Sequence, residues 1–384
     1  MKRKILLLIV LFSVLFINGF EAAGYQAGLG KIAETFALTD TNKGLIVFLQ
    51  LGASFISPLL FGPLVDKRSK KAFLIAFSLL EILACAFLSF GQSFPLFAIG
   101  ISLFGFASGT AQYLVFAALA DLFPVSGAKK VALATTFYSL GAVIAPLLMG
   151  LFLNQGVPWR WLFMSVGVVL CLQTIAFLFF AFTPFEEKPV SLESETVQGN
   201  TDWLGVFLLC AAMFAYVGYE NGFAFFITSF LQDTLQSSQP YLALSLFWLA
   251  MIPSRALCGV FAAKGRQILL IASFGALACS LGVALSRNDI VSIVLAFPLG
   301  FFAGAIFPSC LSRSLSFAGK KQAMVTGFIS ASAGLGGAVM SFSLGALSDQ
   351  VGLTRSLALL SIVLGLLCVF ALILYFKKDK KAPL

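Results

Sequence analysis

Blocks of Leu, Ile, Val, Phe and Ala alternate with short polar stretches along the whole chain. Twelve such blocks fall at 5–36, 42–64, 72–91, 94–122, 131–154, 159–183, 202–231, 240–262, 267–285, 289–315, 322–346 and 353–376. About 20 apolar residues suffice to cross a hydrocarbon layer roughly 30 Å thick, where only helices or closed barrels satisfy their own backbone. The blocks have helical length and lack the alternation of barrel strands, about ten residues at a time. The pattern therefore predicts an all-α membrane protein of twelve transmembrane helices. Several blocks run well past twenty residues, which predicts tilt or extension beyond the bilayer. The opening Met1-Lys2-Arg3-Lys4 and its apolar run share the outline of a secretory signal. No small-residue cleavage site follows, so the block is read as the first span.

The polar interruptions divide the blocks into two sets of six. Residues 184–201 hold Glu186, Glu187, Glu193 and Glu195, two prolines and few large apolar side chains, the composition of a flexible connector. This predicts two six-helix bundles, 1–183 and 202–384, joined by a cytoplasmic linker at 184–201. The halves also match each other at a nearly constant separation. Gly19-Phe20-Glu21 returns as Gly218-Tyr219-Glu220, Gly62 and Lys67 as Gly259 and Lys264, and Gly105, Gly109, Gly141 and Gly150 as Gly300, Gly304, Gly336 and Gly345. Such a match is the signature of an internal repeat, as in transporters built from parallel six-helix halves. The Gly105/Gly109 and Gly300/Gly304 pairs have GxxxG spacing, which permits close helix approach.

Composition agrees with the pattern and adds an orientation. Mean hydropathy is +1.00, and 11% of residues are charged against about a quarter in soluble domains. With the N-terminus in the cytoplasm, all but five of the 25 Lys and Arg residues lie at or near cytoplasmic ends, as the positive-inside rule requires. The exceptions are Lys31, Lys43, Arg160, Arg287 and Arg355. Both termini are thus expected on the cytoplasmic face, in a bacterial inner membrane. The net charge of +9 reads as topology and attraction to anionic lipid; dispersed over short loops, it does not suggest nucleic-acid binding. The seven cysteines all fall inside apolar blocks and read as small hydrophobes. There is no histidine, and no nucleotide-binding glycine loop, nucleophile motif or metal-ligand cluster is recognisable. No enzyme activity, cofactor or metal is expected. The tryptophans of Pro158-Trp159-Arg160-Trp161 suit an outer-interface anchor.

Gly62-Pro63-Leu64-Val65-Asp66-Lys67-Arg68-Ser69-Lys70-Lys71, between the second and third spans, resembles the signature of the major facilitator superfamily. The resemblance implies a conformational latch made of Gly62, Asp66, Lys67, Lys70 and Lys71, with Ser69 where the usual second glycine stands. Gly259 to Gln267 resembles a degenerate copy, with Ala263 in place of the acid. Gly141 to Pro146 is similar to a drug-antiporter signature, except that Ala145 replaces a glycine. Within the superfamily, Tyr216-Val217-Gly218-Tyr219-Glu220, Phe307-Pro308, Gly336-Gly337-Ala338 and Gly345 to Asp349 resemble the fucose permease-like sugar:proton symporters. That group's first-span aspartate aligns near Gln26 and its fourth-span glutamate near Thr110. Both acids are missing here, so the group's proton coupling does not carry over residue by residue.

The candidate chemistry lies in the few polar residues of the spans. A charged acid at mid-bilayer costs roughly 2.5–3.5 kcal/mol on insertion scales, so an acid retained there faces a polar cavity or carries function. Asn18, Glu21 and Tyr25 share one helical stripe, as do Tyr216 and Glu220, next to Asn221. Gln50, Ser54 and Ser57 form a stripe on the second span, and Ser108 and Gln112 one on the fourth. The resemblance implies that the first and seventh spans line a central cavity. Carboxylates, amides and hydroxyls beside aromatic faces suit a neutral, hydroxyl-rich ligand or a cation. Glu21, Glu220, Asn18, Tyr25, Gln112, Tyr216 and Asn221 are the candidate substrate and proton-coupling residues. Glu81, on a peripheral span, is expected to make a structural hydrogen bond. Arg255 and Arg313, toward inner helix ends, are expected to snorkel or to make latch contacts. Asp121 is expected to cap or support the inner gate.

The expectation is thus a monomeric secondary transporter that takes up a small polar solute, sugar-like by resemblance, with protons as the coupling ion. Efflux of drugs or amphipathic metabolites is one alternative. A non-transporting membrane sensor or scaffold is another.

Overall fold

A computed structural model describes residues 2–65, 69–180, 182, 185, 200–261, 264–319 and 321–377. Among them are twelve α-helices and no strand. These are α1 (Lys2–Phe36), α2 (Asp40–Val65), α3 (Lys70–Phe90), α4 (Phe94–Leu122), α5 (Gly127–Asn154), α6 (Trp161–Phe179), α7 (Trp203–Ser229), α8 (Pro240–Val260), α9 (Gly265–Leu285), α10 (Asp289–Ala318), α11 (Gln322–Val351) and α12 (Leu353–Phe376). All twelve are long and apolar enough to cross a membrane. Many large apolar side chains point outward, among them Ile99, Leu172, Phe207 and Phe376. A soluble protein does not leave so much apolar surface bare; in a bilayer it meets acyl chains.

The helices form two compact units, Met1–Ala37 with Leu49–Leu192 and Leu38–Phe48 with Glu193–Leu384. The division falls inside α2, whose first turns belong to the second unit. In the first unit α1 packs most extensively on α5, and α3 on α4 and α6. In the second, α7 packs on α11, α8 on α10, and α9 on α10 and α12.

Several of the matched glycines sit at close helix crossings. A Cβ on Gly105 or Gly109 of α4 would overlap the carbonyl oxygen of Gln50 or Ser54 on α2, and one on Gly300 of α10 would overlap that of Phe247 on α8. A Cβ on Gly141 of α5 would strike Phe16 of α1, and one on Gly336 of α11 would strike Phe214 of α7. Backbone touches backbone at each place, the close approach that small residues permit in membrane helices. The pairs Gly105/Gly300 and Gly141/Gly336 thus mark equivalent crossings in the two units.

Two elements depart from the expected boundaries. The block ending near 346 continues as helix to Val351, because its polar end is bonded within the second unit. The Asp349 carboxylate accepts the backbone N–H groups of Asp40 (3.0 Å) and Thr41 (2.9 Å), and Ser348 donates to the Asp40 carboxylate. A carboxylate suits the free N–H groups and positive dipole end that open α2. At its own C-terminal end α7 passes into a π-helical turn, Phe230–Thr234.

Candidate functional site

In the first unit α1 carries Asn18, Glu21 and Tyr25 on one face, and all three are buried. Glu21 is 2% exposed. Its one hydrogen-bonding neighbour among the described residues is the Gln50 amide of α2, whose Nε2 stands 3.2 and 3.4 Å from the carboxyl oxygens. No basic side chain among the described residues pairs with it. The Tyr25 ring, one turn on, lies 6.4 Å from both Phe97 of α4 and Phe163 of α6, so this stripe turns toward the interior of the unit. Neither polar atom of the Asn18 side chain has a hydrogen-bond partner among the described residues, and Gln50 Oε1 has none either. Ser57 is hydrogen-bonded to Thr110 of α4, which occupies one hydroxyl of the expected second-span stripe. Gln112 is half-buried on α4.

In the second unit Tyr216 is fully buried and Glu220, one turn later on α7, is 8% exposed. Arg255 of α8 reaches Glu220, with Nη2 3.7 Å from Oε1, and stands 3.5 Å from Met251 Sδ. Asn221 is half-buried, and its Nδ2 donates to the Val217 carbonyl of its own helix at 3.0 Å. The two acids thus differ in partner. Glu21 has a neutral amide, whereas Glu220 has a guanidinium.

Four expectations need correction. Arg255 does not simply snorkel, because the Glu220 carboxylate draws it into an ion pair. Arg313 is 5% exposed with its guanidinium 5.2 Å from the Phe317 ring centre; a cation–π contact holds it inside. Glu81 makes no structural hydrogen bond, since neither carboxyl oxygen has a partner among the described residues. Trp159 is not a lipid-facing anchor. It is buried, its Nε1 donates to Thr35 Oγ1 at 2.9 Å, and the Arg160 guanidinium lies 4.5 Å from its ring.

Of the latch residues, Gly62 lies in α2, while Asp66 and Lys67 fall outside the described residues. Lys70 pairs with Asp121 of α4, and Lys71 Nζ donates to the Leu178 carbonyl near the end of α6 at 3.0 Å. The partners Gln50, Arg255 and Lys70 come from other helices. For Gln50 and Arg255 the signal in the sequence was a polar residue in an apolar block, and for Lys70 the basic cluster between the second and third spans, without any indication of which acid each would meet.

Twelve membrane helices, repeated helix crossings in two units and buried acids in otherwise apolar spans define a membrane transporter of the twelve-helix class. The family model for the Major Facilitator Superfamily matches residues 11–313, and the chain belongs to that superfamily. Its function is transport across a membrane, not catalysis. The chain is similar to the glucose/mannose transporter GlcP of Bacillus subtilis (strain 168), 25% identical over 334 residues that cover 82% of this chain and 81% of the relative. Among solved structures it resembles a bacterial homologue of the human lysosomal transporter Spinster in an inward-facing, unoccupied conformation, with a TM-score of 0.82, 13% identity and 98% of each chain covered. It also resembles the E. coli fucose:proton symporter FucP, with a TM-score of 0.63, 18% identity, and 97% of this chain and 99% of that one covered.

Proposed function

We propose that this protein takes up a monosaccharide-like solute together with a proton, by alternating access of two six-helix bundles, 1–183 and 202–384, joined by the linker 184–201. The sugar class rests on the glucose/mannose transporter to which the chain is similar over most of its length. Amides and hydroxyls on the site helices suit a ligand rich in hydroxyl groups. Asn18, Tyr25, Gln112, Tyr216 and Asn221 are the proposed substrate contacts. The latch of Gly62, Asp66, Lys67, Lys70 and Lys71 stabilises one of the alternating states. The protein works as a monomer in a bacterial inner membrane, with both termini in the cytoplasm.

The observation that carries the coupling is the contrast between the two acids. A buried carboxylate without a cationic partner is costly, whereas a paired one is compensated. Glu21, whose one hydrogen-bonding neighbour among the described residues is the Gln50 amide, has the surroundings of a group that gains and loses a proton. Glu220, which Arg255 reaches, shapes the site.

The test uses proteoliposomes with an imposed proton gradient and radiolabelled D-glucose and D-mannose. Glu21→Gln abolishes accumulation above equilibrium but retains exchange of internal for external sugar. Accumulation that survives in Glu21→Gln sinks the coupling assignment. Failure of the unmodified protein to move any of a panel of sugars, while dye leaves the vesicles, replaces uptake by efflux.

A further inference from the structure

Gln50 lies on α2 where α4 crosses it. A Cβ on Gly105 would overlap the Gln50 carbonyl oxygen, and one turn on, a Cβ on Gly109 would overlap that of Ser54. The α2 backbone is therefore fixed here, and only the Gln50 side chain can turn. That side chain is 6% exposed. Its Nε2 stands 3.2 and 3.4 Å from the two carboxyl oxygens of Glu21, and its Oε1 has no hydrogen-bond partner among the described residues. Asn18, three residues before Glu21 on the same stripe of α1, is buried with Oδ1 and Nδ2 both unpartnered among the described residues. Two buried amides thus flank the acid with three polar atoms unanswered.

Buried polar groups that serve structure collect hydrogen bonds, and a half-satisfied network is worse than an apolar core. The second unit builds the same crossing without amides. Gly300 meets the Phe247 carbonyl oxygen as Gly105 meets that of Gln50, so Phe247 is the counterpart of Gln50, at the separation that also relates Gly62 to Gly259. The separation of Glu21 from Glu220 makes Val217 the counterpart of Asn18. Phe247 fills its place by packing, its ring centre 4.9 Å from that of Phe223. Apolar residues suffice in the second copy, whereas the first keeps two amides with hydrogen bonds unmade. What those atoms lack is a group that both donates and accepts, as a sugar hydroxyl does.

We propose that Gln50 is a specificity-determining contact for the solute, and that its amide turns over with the proton on Glu21. An ionised Glu21 accepts a hydrogen bond from Nε2, the arrangement found here, and leaves Oε1 to the solute as an acceptor. A protonated Glu21 donates its O–H to Oε1, and the turned amide offers Nε2–H to the solute as a donor. The proton comes from water on one face, forms the O–H bond of Glu21, and passes to water on the other face when that bond breaks. No bond of the amide or of the solute changes. A solute oxygen that accepts from Nε2 favours the protonated form of Glu21 by its differential affinity for the two orientations. This rests on the sugar and proton reading above and adds the residue that joins the two.

The test is exchange of radiolabelled D-glucose or D-mannose in proteoliposomes without a proton gradient, competed by their monodeoxy and deoxyfluoro analogues, for the unmodified chain and Gln50→Met. In the unmodified protein, loss of one particular hydroxyl weakens competition about five- to tenfold, as removal of one hydrogen bond does. Fluorine at that position, which keeps an acceptor, recovers part of the loss. In Gln50→Met the KM rises by a similar factor, the maximal exchange rate stays within about twofold, and the penalty at that position disappears. With a gradient imposed, accumulation in Gln50→Met falls even at saturating sugar. A Gln50 that only supports the fold would lower the maximal rate and leave every penalty in place, which overturns the proposal. So does a fluoro analogue no better than the deoxy one, or full accumulation in Gln50→Met. Should Gln50→Met fold poorly, Gln50→Asn keeps an amide one methylene too short to span both partners and must lose the same penalty; its retention there also overturns the proposal. If neither sugar exchanges, the sugar reading falls and this assignment with it, whereas exchange with unchanged penalties overturns this assignment alone.

Discussion

Glu21 and Glu220 stand at matched places in the two halves of the sequence, each three residues or fewer after a glycine and an aromatic, yet they meet different partners. The acids and their stripes were legible, because an acid in an apolar block is conspicuous and helical spacing fixes its face. The partners were not, because Gln50 and Arg255 approach from other helices at distances in sequence that no periodicity encodes. One prediction follows at this scale. Arg255→Met removes the partner of the Glu220 carboxylate and, with the Arg255 side chain a third exposed, costs about 1–2 kcal/mol, read as a lowered thermal midpoint in detergent. Adding Glu220→Gln to Arg255→Met restores most of the loss. Additive losses in the double variant would show that the pair at 3.7 Å is not coupled. The same logic separates Glu81, which has no hydrogen-bond partner among the described residues: Glu81→Leu is expected to leave the thermal midpoint unchanged or raise it.

Helices here are specified twice, by apolar length and by the small residues that let them cross. The lengths were legible from the blocks to within a few residues, and the repeated glycines announced close crossings without saying which helices would meet. Gly105 and Gly327 provide a contrast. A Cβ at Gly105 overlaps the Gln50 carbonyl, whereas none at Gly327 of α11 meets anything within 4 Å. Gly105→Ala is expected to cost about 1–3 kcal/mol through overpacking. Gly327→Ala is expected to be neutral or to stabilise by up to about 1 kcal/mol through helix propensity. Thermal unfolding of the two variants side by side checks both. The end of α11 shows the limit of reading by hydropathy. Ser348 and Asp349 look like the start of a loop, but they continue the helix because Asp40 and Thr41 supply N–H groups to the Asp349 carboxylate.

At the scale of the whole molecule, the distribution of basic residues predicts the orientation. Cysteines placed singly in a cysteine-free background at Glu34 and Arg287 are expected to react with a membrane-impermeant maleimide on intact cells. Cysteines at Lys129 and Lys264 are expected to react only after permeabilisation. All four sites are exposed in the structure, so the reverse pattern would invert the assigned topology. The sequence by itself determined that the chain spans a membrane twelve times, that its two halves repeat, and which few polar residues lie within the spans. Those properties follow from local composition and period, because lipid demands long apolar helices whatever their neighbours. Only the tertiary structure decided that Glu21 faces an amide and Glu220 a guanidinium, that Trp159 and Arg313 turn inward, that α2 opens against Asp349, and that Glu81 lies buried with no hydrogen-bond partner among the described residues. These depend on which helix faces meet, and helix pairing in a bilayer is set by shape and small residues distributed along the whole chain.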